Sequence, residues 1–234
     1  MTKIDNIASS ERPLSEKFTL IYENKLWVKS APHLNREKSA SGHGSTLRST
    51  QTLRPQLEEL IKSLKPASLF DVPCGDFNWM KEVRFPNDCD YVGADVVAPL
   101  IDRLQQRYGY EAGASPRDRG GTARSRRFLV FDLCSDPLPP FDILFCKDCL
   151  QHLSNSDVQR VIENIVRSEV KYVMISNHWG VESNKNVPTG GFRFLDLTKP
   201  PFMLPEPAVK LNDRPVDQEP RYIGVWRREE LARR

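Results

Sequence analysis

Residues 67–80, ASLFDVPCGDFNWM, constrain this chain more than any other stretch. A short apolar run from Ala67 to Val72 holds Asp71 near its end, then breaks into Pro73-Cys74-Gly75-Asp76. The pattern is a buried strand opening into a tight, glycine-containing loop. In an open α/β sheet, ligands bind in the crevice outside the carboxyl ends of the strands. Gly75 lets a ligand approach the backbone closely. Two carboxylates, Asp71 and Asp76, flank the turn. They oppose a phosphate and suit a cationic or hydroxyl-rich ligand.

The 234 residues suit one domain with an N-terminal extension. At 28% charged and 39% apolar residues, the composition is that of a globular chain rather than a disordered one. No apolar stretch approaches the roughly 18–20 residues of a membrane span, and the polar N-terminus lacks an apolar leader. A cytoplasmic protein without a membrane partner is the expectation. The net charge of +3 is nearly balanced, with much of the excess in Arg117–Arg127. Its Gly and Ser content reads as a solvated, mobile loop rather than a nucleic-acid surface. Five cysteines, an odd number, point to reduced thiols. Cys146-x-x-Cys149 has no second pair nearby, so no metal is expected.

Residues 1–45 have weak periodicity and read as an irregular arm with some local helix. From Thr50 to Leu64, leucines at 53, 57, 60 and 64 make one apolar helical stripe. Strands are then expected at Ala67–Val72, Tyr91–Val97, Phe128–Leu133, Asp142–Cys146 and Val170–Ser176. A short helix is expected at Phe77–Val83 and a longer one from Pro99 to about Tyr108. Another runs from about Ser156 to Ser168, capped by Ser154 or Asn155. Beyond it, seven prolines between 188 and 220 argue against long helices, with short strands at Phe192–Leu197 and Tyr222–Trp226. Strands alternating with helices predict an α/β fold, a doubly wound, mostly parallel sheet with helices on both faces.

Successive strands finish in acids. Asp71 and Asp76 follow the first strand, and Asp95 ends the second about twenty residues after the glycine loop, where an acid can accept ribose hydroxyls. Asp132 stands at the end of the third strand and Cys146-Lys147-Asp148 at the end of the fourth, with His152 just beyond. A helical turn beginning there would put Asp148 and His152 on one face as candidate general bases. A capping acid and a structural histidine are the ordinary alternatives.

DVPCGDFNWM, YVGADVV, FLVFDL and FDILFCKDCLQHL resemble the successive motifs of a class I S-adenosylmethionine (SAM)-dependent methyltransferase with a Rossmann-like fold. Ser41-Gly-His-Gly-Ser45 and the tail TGGFRFLDLTKPPFMLP (189–205) extend the likeness to a bacterial-type family of small methyltransferases with largely unassigned substrates. The resemblance implies that Asp71, Pro73, Gly75 and Asp76 contact the methionyl end of SAM, and Asp95 and Val96 the ribose. It further implies Asp132 and Leu133 at the adenine and Cys146 and Lys147 as the floor beneath the sulfonium. Residues 41–45 would fold over the cofactor, or else form a flexible glycine linker. The loop departs from the usual three-glycine pattern, and Lys147 replaces an arginine.

For the methyl acceptor, Asn177, His178, Trp179 and Arg193 are the expected wall, Arg193 suiting a carboxylate or phosphate. The expected activity is methyl transfer to an O or N atom of a small molecule such as a sugar or secondary metabolite, by a monomer or homodimer. A catalytically silent binding subunit and an RNA or protein methyltransferase are the alternatives. Residues 1–48 are expected to be the arm and cofactor cover, and 49–234 the catalytic domain.

Overall fold

The computed structural model describes residues 2–113, 122–213 and 221–232. Seven strands form one sheet: β1 (Ser68–Asp71), β2 (Asp90–Asp95), β3 (Ser125–Val130), β4 (Ile143–Cys146), β5 (Tyr172–His178), β6 (Val209–Asn212) and β7 (Arg221–Arg227). Their order is β3-β2-β1-β4-β5-β7-β6. The first five run parallel, and β7 pairs antiparallel with both β5 and β6. The chain thus winds outward from β1 in one direction and from β4 in the other. Right-handed crossovers then put the two sets of helices on opposite faces. The crevice of a doubly wound sheet opens at this reversal, above β1 and β4.

The connecting helices follow from local sequence. α4 (Leu53–Leu64) buries Leu53, Leu57 and Ile61, its stripe facing the core. α5 (Ala98–Tyr108) begins with Pro99 in its first turn, where the missing N–H costs no bond. α6 (Asn155–Arg167) is capped by Ser154, whose hydroxyl accepts from Asp157 N–H at 3.1 Å, so Ser154 rather than Asn155 is the cap. A short C-terminal helix, α7 (Arg228–Leu231), follows β7. Phe77–Val83 forms only a 3-10 turn at Met80–Glu82.

Several expectations are corrected. β3 lies three residues earlier than Phe128–Leu133, because its first part is a charged stretch that is nonetheless packed. The Arg126 guanidinium sits 5.0 Å from the Phe77 ring and 5.2 Å from the Tyr110 ring, and the residue is buried. Arg124 is bound by Asp90. Within the described part of the basic segment, 125–127 are therefore sheet structure rather than a solvated loop, and 122–124 lead into the strand; 117–121 lie outside the described residues. Phe192–Leu197 is extended but forms no strand. It crosses the end of β5 instead, with His178 N–H donating to Leu195 O (2.8 Å) and Leu197 N–H to Asn177 Oδ1 (3.2 Å). β6 went unforeseen. The N-terminal arm is ordered into α1 (Lys3–Ala8), α2 (Leu14–Glu23) and α3 (Leu26–Ser30). Among the described residues, no helix is long and apolar enough to cross a membrane.

Candidate functional site

A cavity of about 500 Å³ opens above the carboxyl ends of β1, β2 and β4. Register puts the acids there: the loop after β1 stays bonded to β2 through Cys74 N–H and Ala94 O at 2.8 Å, bringing Asp71 and Asp95 to one edge. Asp71, Pro73, Gly75, Asp95, Val96, Asp132, Leu133 and Lys147 all line the cavity, as their place in the sequence led us to expect. Asp71 is 3% exposed and accepts a hydrogen bond from the Tyr91 hydroxyl at 2.6 Å. Burial pushes its carboxyl from the ordinary 3.8 up to about 8. Burial also raises Asp95, to about 6, against the backbone N–H groups of Val97, Gly75 and Val96. Asp132 holds the Cys134 N–H at 2.8 Å through Oδ1.

Two residues expected here are elsewhere. Asp76 does not line the cavity; its Oδ2 accepts from Ser39 Oγ (2.9 Å) and Ala40 N–H (2.6 Å), tying the loop to the arm. Cys146 is also absent from the lining and is buried in the core. Successive residues of a strand face opposite ways, so Lys147 faces the cavity and Cys146 does not. Cys149 lines the cavity instead.

The 41–45 segment is docked, not a loose linker. Gly75 has φ +56°, and a Cβ there would lie 2.4 Å from Ser41 Oγ. Ser41 Oγ accepts from Asp76 N–H at 2.8 Å and lies 2.8 Å from the Tyr22 hydroxyl. A Cβ on Gly44 would come within 2.6 Å of Asp148 Oδ2. Both glycines thus admit a neighbouring part of this chain. Ser41, Gly42, His43, Gly44 and Ser45 all line the cavity.

Next to this segment lie four charges, three of them buried and the fourth, Asp148, partly exposed. Lys147 pairs with Asp148 and, at 3.5 Å, with Asp213; its ammonium also donates to Gly44 O at 3.1 Å. Arg221 donates to Asp148 Oδ1 at 3.1 Å and faces Asp213 at 3.5 Å. Burial alone would raise Asp148, but Arg221 and Lys147 outweigh it and hold its carboxyl well below the usual range. A carboxylate held this strongly is a poor proton acceptor. Asp148 also has φ +54°, and only a 3-10 turn, Leu150–His152, follows. The expected helical face shared by Asp148 and His152 does not form.

His152 lines the cavity from its other side. Its Nδ1–H donates to Gly191 O at 2.8 Å; because a carbonyl only accepts, Nε2 carries the ring's lone pair. Burial lowers the ring's proton affinity, outweighing the Gly191 hydrogen bond and the Asp148 carboxylate, which raise it.

The expected acceptor wall is corrected. Asn177, His178, Trp179 and Arg193 do not line the cavity. The 192–197 segment covers the end of β5, so Asn177 is spent on Leu197 N–H and the Tyr222 hydroxyl (3.1 Å). His178 is buried against Leu195, and burial lowers its pKa to about 4. Trp179 is 47% exposed and packs against Tyr222. Arg193 is buried and donates to Leu153 O. The cavity is lined instead by Phe18, Tyr22 and Trp27 of the arm, and by Gln151, His152 and Phe192. Of the arm's share, Trp27 lies on α3, whose five residues are too short for a periodic signal, while Phe18 and Tyr22 lie on the ten-residue α2, where nothing local marks a ring as facing a cavity distant in sequence.

No protein-family model matches the chain. No curated protein matches it either. Solved structures do. It is similar to the PH0226 protein from Pyrococcus horikoshii OT3, with TM-score 0.54 at 15% identity over 86% of this chain and 98% of that one. It is similar to PigF crystallised with SAH, with TM-score 0.55 at 12% identity over 93% of this chain and 63% of that one. It is also similar to the methyltransferase domain of bacterial CtHen1-C, with TM-score 0.53 at 13% identity over 76% of this chain and 98% of that domain. Together with the strand order, these likenesses show that the chain has the Rossmann-like fold of class I methyltransferases.

Proposed function

We propose that this protein is a SAM-dependent methyltransferase acting on a hydroxyl or amine of a small molecule. The observation that carries the reading is the convergence of Asp71, Asp95 and Asp132 on one cavity at the sheet's reversal point. The donor set suits SAM. Asp71, raised to about 8 by burial, feels Lys147 only beyond ion-pair distance among the described residues, and an ammonium would supply a closer cation. Asp95, ending β2, is placed for a ribose diol, and Asp132 with Leu133 for an adenine. The neighbour PigF was crystallised with SAH, which agrees with this cofactor class.

When bound, SAM supplies a methyl group on a sulfonium, activated without help from the protein. The chain's residues orient and enclose. Lys147 and Arg221 neutralise Asp148 and Asp213, so the floor presents little net charge. Residues 41–45 cover the cavity and exclude water. His152 Nε2 is the base that takes the acceptor's proton.

The test is transfer of methyl-labelled SAM in an extract fractionated into metabolites, protein and RNA. Label in the metabolite fraction is the expected result. Label confined to RNA or protein would replace the small-molecule reading, and SAM binding without label in any fraction would favour a silent subunit.

A further inference from the structure

The acceptor half of the cavity has a chemistry of its own. A row of rings runs along it from the arm to the tail: Phe18 to Trp27 at 6.0 Å, Trp27 to His152 at 5.6 Å, His152 to Phe192 at 5.6 Å and Phe192 to Phe194 at 5.6 Å. Ile4 and Leu14 extend this apolar surface. Phe192 and Phe194 are 50% and 47% exposed, so the row continues from the cavity to the protein surface.

Charge in this half is already committed. Asp5 accepts the Thr2 N–H at 2.7 Å, and both oxygens of Asp148 are held by Lys147, Arg221 and Gln151. An anionic or cationic acceptor would meet no unpaired counter-charge, and a sugar would leave most hydroxyls against hydrocarbon. Polar atoms left for the acceptor include Gln151 Oε1, buried without a hydrogen-bond partner, and His152 Nε2, whose ring is fixed through Nδ1–H on Gly191; of these two, the imidazole is the base. A neutral amine can attack before it loses a proton. A hydroxyl needs a base during attack, and one with the acidity of a phenol asks least of a neutral imidazole.

We propose that the methyl acceptor is an uncharged aromatic compound bearing a phenol-type hydroxyl, packed against the row formed by Trp27, His152 and Phe192 with its O–H on His152 Nε2. This rests on the methyltransferase reading and names its substrate class. The acceptor oxygen gives its proton to Nε2 and its lone pair to the methyl carbon. The carbon–sulfur bond breaks with its electron pair left on sulfur as a thioether. The positive charge ends on the imidazolium, which returns the proton to solvent.

The groups facing His152 are the carboxylate of Asp148, which favours the protonated ring, the guanidinium of Arg193, which opposes it, the Gly191 carbonyl, and the rings of Trp27 and Phe192.

The experiment titrates the full chain, with and without SAH, against 2-naphthol, 2-naphthylmethylamine and methyl β-glucopyranoside. The expected result is preferential binding of 2-naphthol, weakened about tenfold or more by Trp27→Ala or Phe192→Ala with SAH affinity unchanged, the loss of one stacked ring. Phe192 is half exposed, so Phe192→Ala keeps the fold. In turnover of 2-naphthol, His152→Gln lowers kcat about 100-fold at neutral pH, and the loss shrinks above about pH 10, where the phenol ionises unaided. A structural role would leave that loss independent of pH. Tighter binding of the amine or the glycoside, or no binding of 2-naphthol while SAH binds, overturns the proposal and leaves the methyltransferase reading standing. Failure of SAH itself to bind overturns the reading beneath it.

Discussion

The Ser41 hydroxyl occupies the space that a side chain on Gly75 would need, with 2.4 Å between Oγ and the position of that Cβ. The glycine of the loop after β1 is thus spent on the cover of the cavity. Gly75→Ala is expected to destabilise the protein by about 1–3 kcal/mol, from the left-handed backbone and the clash together. It should also weaken SAM binding by displacing 41–45. In a Ser41→Gly background the same change should cost less, leaving only the backbone share. A double-mutant cycle by thermal unfolding reads the difference; equal costs in both backgrounds would break the link between loop and cover.

Asp71 predicts a pH dependence of unusual sign. Its folded pKa, about 8, lies above the ordinary 3.8, so the folded state binds more protons between these values. Stability of the ligand-free protein should therefore fall as pH rises from about 4 to about 8, with Asp95 contributing up to about 6. SAM affinity should move the opposite way, rising with pH to about 8, because an ammonium favours the ionised carboxylate. Calorimetry in buffers of different ionisation enthalpy should detect proton release on binding, and Asp71→Asn should abolish it. Proton uptake would contradict the assignment.

Asp148→Asn should act on folding more than on proton transfer. It strands Lys147 and Arg221 beside Asp213 alone, and breaking a buried ionic cluster costs about 3–5 kcal/mol. Urea denaturation checks this. A stable but inactive variant would restore Asp148 as a base.

Arg126→Met should lower stability by about 1–2 kcal/mol through lost stacking between Phe77 and Tyr110. RNA affinity should be unaffected. A variant of native stability would return this residue to the solvated loop its composition suggests.

The sheet's centre is legible because β1, β2, β4 and β5 are apolar runs with acids or polar residues at their carboxyl ends. Edges are harder. β6, Val209-Lys-Leu-Asn, alternates apolar and polar residues over only four positions, buries only Leu211 and sits among prolines, so the signal is too short to mark it. β3 is displaced because Arg126 reads as solvent-facing when two rings pay for its burial. On the proposed cofactor side, Asp71, Asp95 and Asp132 are legible as acids at strand ends, whereas the turning away of Asp76 and Cys146 is not. The acceptor side depends on contacts distant in sequence. Trp27 and Phe192 lie on either side of His152, and nothing local in the chain connects them. Asn177 and His178 stand at a strand end, as a site residue should, but the 192–197 segment covers them.

The most direct measurement is isothermal titration of SAM and SAH into the wild-type protein and Asp95→Ala. The account predicts sub-millimolar binding of both ligands to the wild type, weakened in the variant by about 1.5–3 kcal/mol, as expected for hydroxyl hydrogen bonds to a charged acceptor. No binding to the wild type at sub-millimolar concentration, or equal affinity of wild type and variant, would contradict it.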